Sequence, residues 1–99
     1  MDDNDIIAQL QQLAESLGGT AKEHPPERVG GSFLTTYRSL RLPKEGAYEL
    51  GRVAYEERTL QETERVNALV RSTFGDRVQG AVTVEYLEKS WVDFYVTLS

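Results

Sequence analysis

The last quarter of the chain constrains the fold most, because apolar and polar residues alternate there in two successive stretches. Alternation is typical of strands with one buried and one exposed face, so residues 78–87 and 91–98 predict a β-hairpin. The apolar positions of both strands share one side of the sheet only if Tyr86 pairs with Val92, which requires an odd-numbered loop. Those positions are Val78, Val82, Val84, Tyr86, Val92, Phe94, Val96 and Leu98.

Two other segments have the apolar spacing of amphipathic helices. The first predicts a helix over 3–17, with an Asp/Asn cluster at its start and Gly18-Gly19 at its end. The second predicts a helix over 60–74, because Thr59 and Glu62 match a capping box and Gly75 follows. The apolar positions are Ile6, Leu10, Leu13 and Leu17 in the first helix and Val66, Leu69, Val70 and Phe74 in the second.

Between these helices the sequence predicts a loop followed by a first hairpin. Residues 18–31 hold two prolines and four glycines, which favours a flexible loop. Residues 32–42 and 47–56 are predicted as strands around a turn at 43–46, where Gly46 would take the left-handed position of a three-residue turn.

The resulting order, αββ-αββ, predicts an α+β fold with a four-stranded antiparallel sheet and two helices packed on one face. The length of 99 residues suits one domain over 1–99, with 18–31 as a loop within it. Residues 27–37 faintly resemble residues 76–86, which would suit a pseudo-twofold fold.

The other face of the predicted sheet is too apolar to suit water. If Tyr37 points under the helices, large outward residues form a patch larger than monomers usually expose, which favours a protein-binding face and a homodimer. The opposite parity of the first hairpin would instead place Phe33, Tyr37, Val53 and Tyr55 outside. The predicted partner-binding residues are Trp91, Tyr95, Leu40, Leu42, Tyr48 and Leu50.

Two charged patterns favour alternative functions. The hairpin register places Arg38 opposite Arg52, and such a like-charge pair would suit an anionic ligand or be answered by nearby glutamates. The net positive stretch 28–52, together with tyrosines and Trp91, would suit single-stranded nucleic acid. Leu34, Leu40 and Leu42 would crowd the same face and the overall charge is negative, so nucleic acid is the weaker alternative.

No residue pattern indicates catalysis, a metal site or a cofactor. His24 is the only histidine and falls in the predicted loop, without a nucleophile or orienting carboxylate nearby in sequence. The carboxylate pairs Glu56-Glu57 and Glu85/Asp93 are explained by a helix start and by outward strand positions. The chain has no cysteine, which excludes disulfides and cysteine-bound zinc.

The charged residues are unevenly distributed along the chain. Six acidic residues and one lysine within 1–27 account for the whole net charge of −5, whereas residues 28–99 carry ten of each sign. With an acidic N-terminus and no long apolar run, we expect a cytoplasmic protein. The sequence as a whole predicts a small, non-enzymatic accessory, chaperone-like or inhibitor protein that binds a partner through its sheet.

Overall fold

The computed structural model describes residues 2–19, 22–42, 50–86 and 89–99, and it confirms the predicted α+β class. The strands are antiparallel and lie in the order β1-β2-β4-β3. The elements are α1 (Asp3–Leu17), β1 (Glu27–Val29), β2 (Ser32–Arg38), α2 (Arg52–Phe74), β3 (Val78–Tyr86) and β4 (Trp91–Leu98). Helix α1 packs on β2 and α2 packs on β3, so both helices cover one side of the sheet. We call that side the covered face and the other side the open face.

Helix α1 has the predicted bounds because both of its ends are capped. The Asp2 carboxylate accepts a hydrogen bond from the Asp5 amide at 2.9 Å, and Gly18 ends the helix. A methyl group on Gly18 would lie 1.8 Å from the Arg38 carbonyl oxygen. Only glycine therefore lets the end of α1 approach the end of β2 so closely.

The last hairpin confirms the pairing of Tyr86 with Val92. A register shift between Gln79 and Thr83 gives β3 two more residues than the paired part of β4, and because this number is even, Val78 and Val82 both still reach the core. Strand β4 is central, with β2 on one side and β3 on the other. The inward residues of the central strands form the floor of the core: Phe33, Thr35, Tyr37, Val92, Phe94 and Val96 are 0–2% exposed.

The first hairpin lies earlier in the chain than predicted. Residues 27–29, assigned to a loop, form β1 and pair with β2 through a two-residue turn at Gly30-Gly31. Gly30 has φ +61°, a conformation that suits glycine in such a turn. The loop prediction is wrong here because β1 has three exposed residues and so carries no apolar alternation.

The predicted second strand, 47–56, is wrong from residue 50 onward. Helix α2 already begins at Arg52, eight residues before the predicted start, and the turn at 43–46 lies outside the described residues. The capping-box prediction is wrong as well, since Thr59 lies inside the helix and its hydroxyl donates to the Tyr55 carbonyl at 2.8 Å. Glu62 points into the core instead of back to the helix start.

The predicted parity of β2 is confirmed: Phe33, Thr35 and Tyr37 are buried under the helices. The faint sequence repeat does not follow the structural halves. Exchanging the α1-β1-β2 half with the α2-β3-β4 half preserves the sheet order. Yet residues 32–37 lie in the second strand of their half, whereas the aligned residues 81–86 lie in the first strand of theirs.

Candidate functional site

The candidate site is the open face, which the helices leave uncovered. Every second residue of β4 points outward here, and Trp91, Asp93 and Tyr95 are all partly exposed along this central strand. Their partners on β2 are Arg38, Thr36 and Leu34, respectively. The outward positions that the strand registers place on this face are Glu27, Val29, Ser32, Leu34, Thr36, Arg38, Gln79, Thr83, Glu85, Trp91, Asp93, Tyr95 and Thr97.

Trp91 is held at one end of this face by two neighbours. The His24 ring meets it edge-on, with 4.7 Å between ring centroids. The Arg38 guanidinium carbon lies 5.9 Å from its ring centroid, within the range of a cation–π contact. The indole is therefore oriented while part of its surface remains open to solvent.

A small pocket of about 260 Å³ lies where the chain leading into β1 runs beside β2. Leu34 and Pro25 give it apolar walls, and Thr36 contributes a hydroxyl. Two carboxylates, Glu23 and Glu27, give it negative charge. The residues lining it are Glu23, His24, Pro25, Glu27, Leu34 and Thr36.

Two further carboxylates lie side by side on the open face. Glu85 on β3 is directly opposite Asp93 on β4, and like charges in that position repel each other. The Thr36 hydroxyl donates a hydrogen bond to Asp93. Within the described residues, neither carboxylate takes part in a salt bridge. Partial desolvation, followed by the charges of Glu85 and Asp93, raises the pKa of the Tyr95 hydroxyl above its ordinary value.

The structure separates the six predicted partner-binding residues. Trp91 and Tyr95 point outward on the open face, and Leu40 is 85% exposed in the turn after β2. The outward placement of Leu42 and Leu50 is wrong: Leu42 is buried, and Leu50 packs against the core. Both follow the end of β2, where strand alternation no longer applies. Tyr48 lies outside the described residues.

The predicted pairing of Arg38 with Arg52 is wrong. Arg52 is the first residue of α2, where its side chain is 91% exposed and forms a salt bridge with Glu56 at 3.4 Å. Arg38 instead contacts Trp91 on the open face. The residues thus do not form the cross-strand anion site that a 47–56 strand would have created.

His24 is exposed, as expected, but the sequence did not indicate its contact with Trp91. Glu27 of β1 also lines the pocket, and the sequence patterns did not predict this strand. The signal for it was the Gly30-Gly31 pair, since two glycines between short strands favour a tight hairpin turn. His24 and Trp91 are far apart in the sequence, so no local pattern could reveal their contact.

On the covered face, Glu62 joins α2 to β2 through a buried hydrogen-bond cluster. Its Oε1 accepts from the Tyr37 hydroxyl at 2.6 Å, from the Ser39 hydroxyl at 3.2 Å and from the Arg65 guanidinium at 3.2 Å. Arg65 also donates to the Leu17 carbonyl at the end of α1. This cluster ties α2 to the end of α1 and to the end of β2.

Two tyrosines near Glu62 have pKa values well above the ordinary one. Burial is the main cause for Tyr37, and its hydrogen bond to the Glu62 carboxylate adds to it. Burial is also the main cause for Tyr86, followed by the Glu62 charge. Both phenols therefore stay protonated at neutral pH, which suits a structural role beneath the helices.

The described ranges support neither a metal site nor a membrane-spanning helix. Those ranges contain no group of three residues placed to hold a metal ion. Neither of the described helices is long and apolar enough to cross a membrane. The chain matches no known protein family, and no characterised protein or solved structure is significantly similar to it.

Proposed function

We propose that this protein is a non-enzymatic binding module that holds a protein partner against the open face of its sheet. The observation that carries the proposal is the partial exposure of Trp91 and Tyr95 on the central strand β4 of that face. Large aromatic side chains supply much of the energy of protein interfaces. Here they stand on a rigid strand, so binding them costs little conformational entropy.

The charges of the open face favour a foreign partner over a second copy of the chain. Among the described outward residues, Glu27, Glu85 and Asp93 outnumber Arg38. Two copies packed face to face would bring these carboxylates together, and such contacts are unfavourable. The same carboxylates would repel the phosphates of a nucleic acid, which argues against the nucleic-acid alternative.

The proposal includes a cytoplasmic setting. The absence of cysteine from the 99 residues supports it, because a chain in a reducing compartment gains nothing from disulfides.

A double variant of the open face tests the proposal. Trp91→Ala/Tyr95→Ala removes both aromatic groups while leaving the buried residues of β4 in place. The matched control is Val53→Ala/Leu60→Ala, which removes two exposed side chains from α2 that are 68% and 61% exposed. Each protein is immobilised and exposed to extract of its native cells, bound proteins are quantified by mass spectrometry, and light scattering gives the mass of each variant alone.

We expect a protein that is retained by the wild type and the α2 control and lost from the open-face variant. We also expect a monomeric mass for all three proteins. Retention that depends on Val53 and Leu60 but not on Trp91 and Tyr95 would move the binding surface to α2. A wild-type dimer that becomes a monomer in the open-face variant would make the partner a second copy.

A further inference from the structure

We infer that the open face binds a partner segment that carries basic side chains, one of which enters the pocket beside β2 while another contacts Glu85 and Asp93. The inference rests on the proposed function, since it specifies the chemistry of the partner. It is carried by three features of the same surface: the pocket, the carboxylate pair that forms no salt bridge within the described ranges, and the aromatic side chains next to them.

The pocket has the lining that a lysine or arginine side chain requires. The aliphatic stem of such a residue needs apolar walls, and Leu34 and Pro25 provide them. Its charged end needs carboxylates, and Glu23 and Glu27 line the same space. The volume of about 260 Å³ accommodates one long side chain and leaves room for water.

The Glu85–Asp93 pair has the geometry of a second cationic subsite. The two carboxylates occupy directly paired positions on neighbouring strands, where their repulsion weakens the free protein. A guanidinium or ammonium group between them would convert this repulsion into two charge-assisted contacts. The pair therefore contributes favourable electrostatic energy in the complex and unfavourable energy in the free protein, as expected for a binding surface.

Aromatic rings flank this second subsite along β4. Trp91 and Tyr95 lie two residues on either side of Asp93 and point to the same face. A cation near Asp93 can therefore also contact an aromatic ring, which strengthens its binding. Arg38 contacts Trp91 from the β2 side, so among the described outward strand residues the basic side chain lies at one end of the open face. The partner segment would orient its basic groups away from Arg38.

The net charge of the whole chain also favours a basic partner segment. The net charge of −5 comes from residues 1–27, which include Glu23 and Glu27. A basic segment is thus attracted over a distance and reaches a surface whose local charge has the same sign. This long-range attraction weakens as salt is added, so binding at different salt concentrations measures it.

Trp91 supplies the readout, because it is the only tryptophan of the chain and lies on the open face. The probe is a capped peptide of four Arg-Ser repeats, titrated against the full-length protein while tryptophan emission is recorded. Peptides of four Gly-Ser or four Glu-Ser repeats of the same length serve as the neutral and acidic probes. Titrations at low and high salt separate charge-driven binding from other contacts.

Two charge-neutralising variants test the subsites, and a third is matched to them. Glu23→Gln/Glu27→Gln alters the pocket, and Glu85→Gln/Asp93→Asn alters the cross-strand pair. Glu57→Gln/Glu64→Gln changes the net charge equally but on exposed positions of α2. Circular dichroism of each variant establishes that the fold is retained before binding is compared.

We expect saturable binding of the arginine peptide only, weakened about tenfold in each open-face variant and less than about twofold in the α2 variant, since each lost charge contact costs about 1.4 kcal/mol. Equal weakening in all three variants would show attraction to net charge alone and overturn the inference. So would the absence of saturable binding to the wild type. Either failure leaves the proposed function intact if the Trp91→Ala/Tyr95→Ala variant still loses its captured partner.

Discussion

The two faces of the central strand show how differently neighbouring residues can be used. Phe94 is 0% exposed beneath the helices, whereas Tyr95, the next residue, points to the open face and stays partly exposed. Alternation along a strand makes this separation unavoidable, because successive side chains point to opposite sides. The covered face is thus available to stabilise the fold, and the open face is free to carry other chemistry.

The charged residues of the two faces differ in the same way. On the covered face, three side chains donate hydrogen bonds to Oε1 of Glu62. On the open face, Glu85 and Asp93 face each other without a salt bridge in the described part of the chain. A buried charge without partners is strongly destabilising, whereas an exposed one is tolerated and remains available to a partner. The comparison predicts large effects on one face and small ones on the other.

The largest effect is expected from Phe94→Ala. Removing this buried ring should lower the free energy of unfolding by about 3–5 kcal/mol, because both its burial and its packing are lost. Urea denaturation measures the change, with Tyr95→Ala as the neighbouring control. Similar losses for both substitutions would mean that the open face contributes to stability as much as the covered face does, so that the covered face would not be the main source of stability.

A smaller loss is expected from Gly18→Ala, where α1 meets the end of β2. The added methyl group would lie 1.8 Å from the Arg38 carbonyl oxygen, so the helix must shift. We expect a loss of about 1–3 kcal/mol in thermal or urea unfolding. The control is Gly31→Ala in the β1–β2 turn, where no atom lies within 4 Å of the new methyl group. A Gly18→Ala protein as stable as the Gly31→Ala protein would contradict this close approach.

Tyr37→Phe should cost about 1 kcal/mol at neutral pH, because one hydrogen bond to Glu62 is lost. Its pH dependence is more informative. The folded pKa of Tyr37 is raised, so its contribution is complete below the unfolded pKa of about 10 and is lost as pH rises above that value.

We therefore expect the wild type to lose stability above pH 10 more steeply than the Tyr37→Phe variant. Urea unfolding at a series of pH values measures this slope. Tyr95→Phe is the open-face control and should leave the slope closer to that of the wild type. Identical slopes for the wild type and Tyr37→Phe would show that the Tyr37 phenol does not need to stay protonated in the folded state.

The smallest effect, and the only one of opposite sign, is expected from Glu85→Gln. Replacing one carboxylate of the Glu85–Asp93 pair removes a cross-strand repulsion and should stabilise the protein by about 0.5 kcal/mol or less. Thermal unfolding at low salt measures it, and the gain should shrink as salt is added. A loss of stability would indicate that Glu85 is held by favourable contacts, and the case for a cationic subsite there would weaken.

Local patterns in the sequence were sufficient for α1 and for the hairpin of β3 and β4. The Asp2 cap and Gly18 stop fix the ends of α1, and the Tyr86–Val92 pairing follows from which residues must be buried. Local patterns were insufficient for residues 50–56, where Val53 and Tyr55 favour a strand and Ala54 favours a helix. Here continuation of α2 over the core decided the outcome.

The sequence by itself determined the α+β class and which side of β2 and β4 is buried, because these depend on periodicity along the chain. The tertiary structure decided the position of Glu62 under the helices, the contact between His24 and Trp91, and the pocket beside β2. Each of these joins residues that are distant in sequence. Their proximity depends on the sheet order and on where β1 and α2 begin, and apolar periodicity along the chain reveals neither.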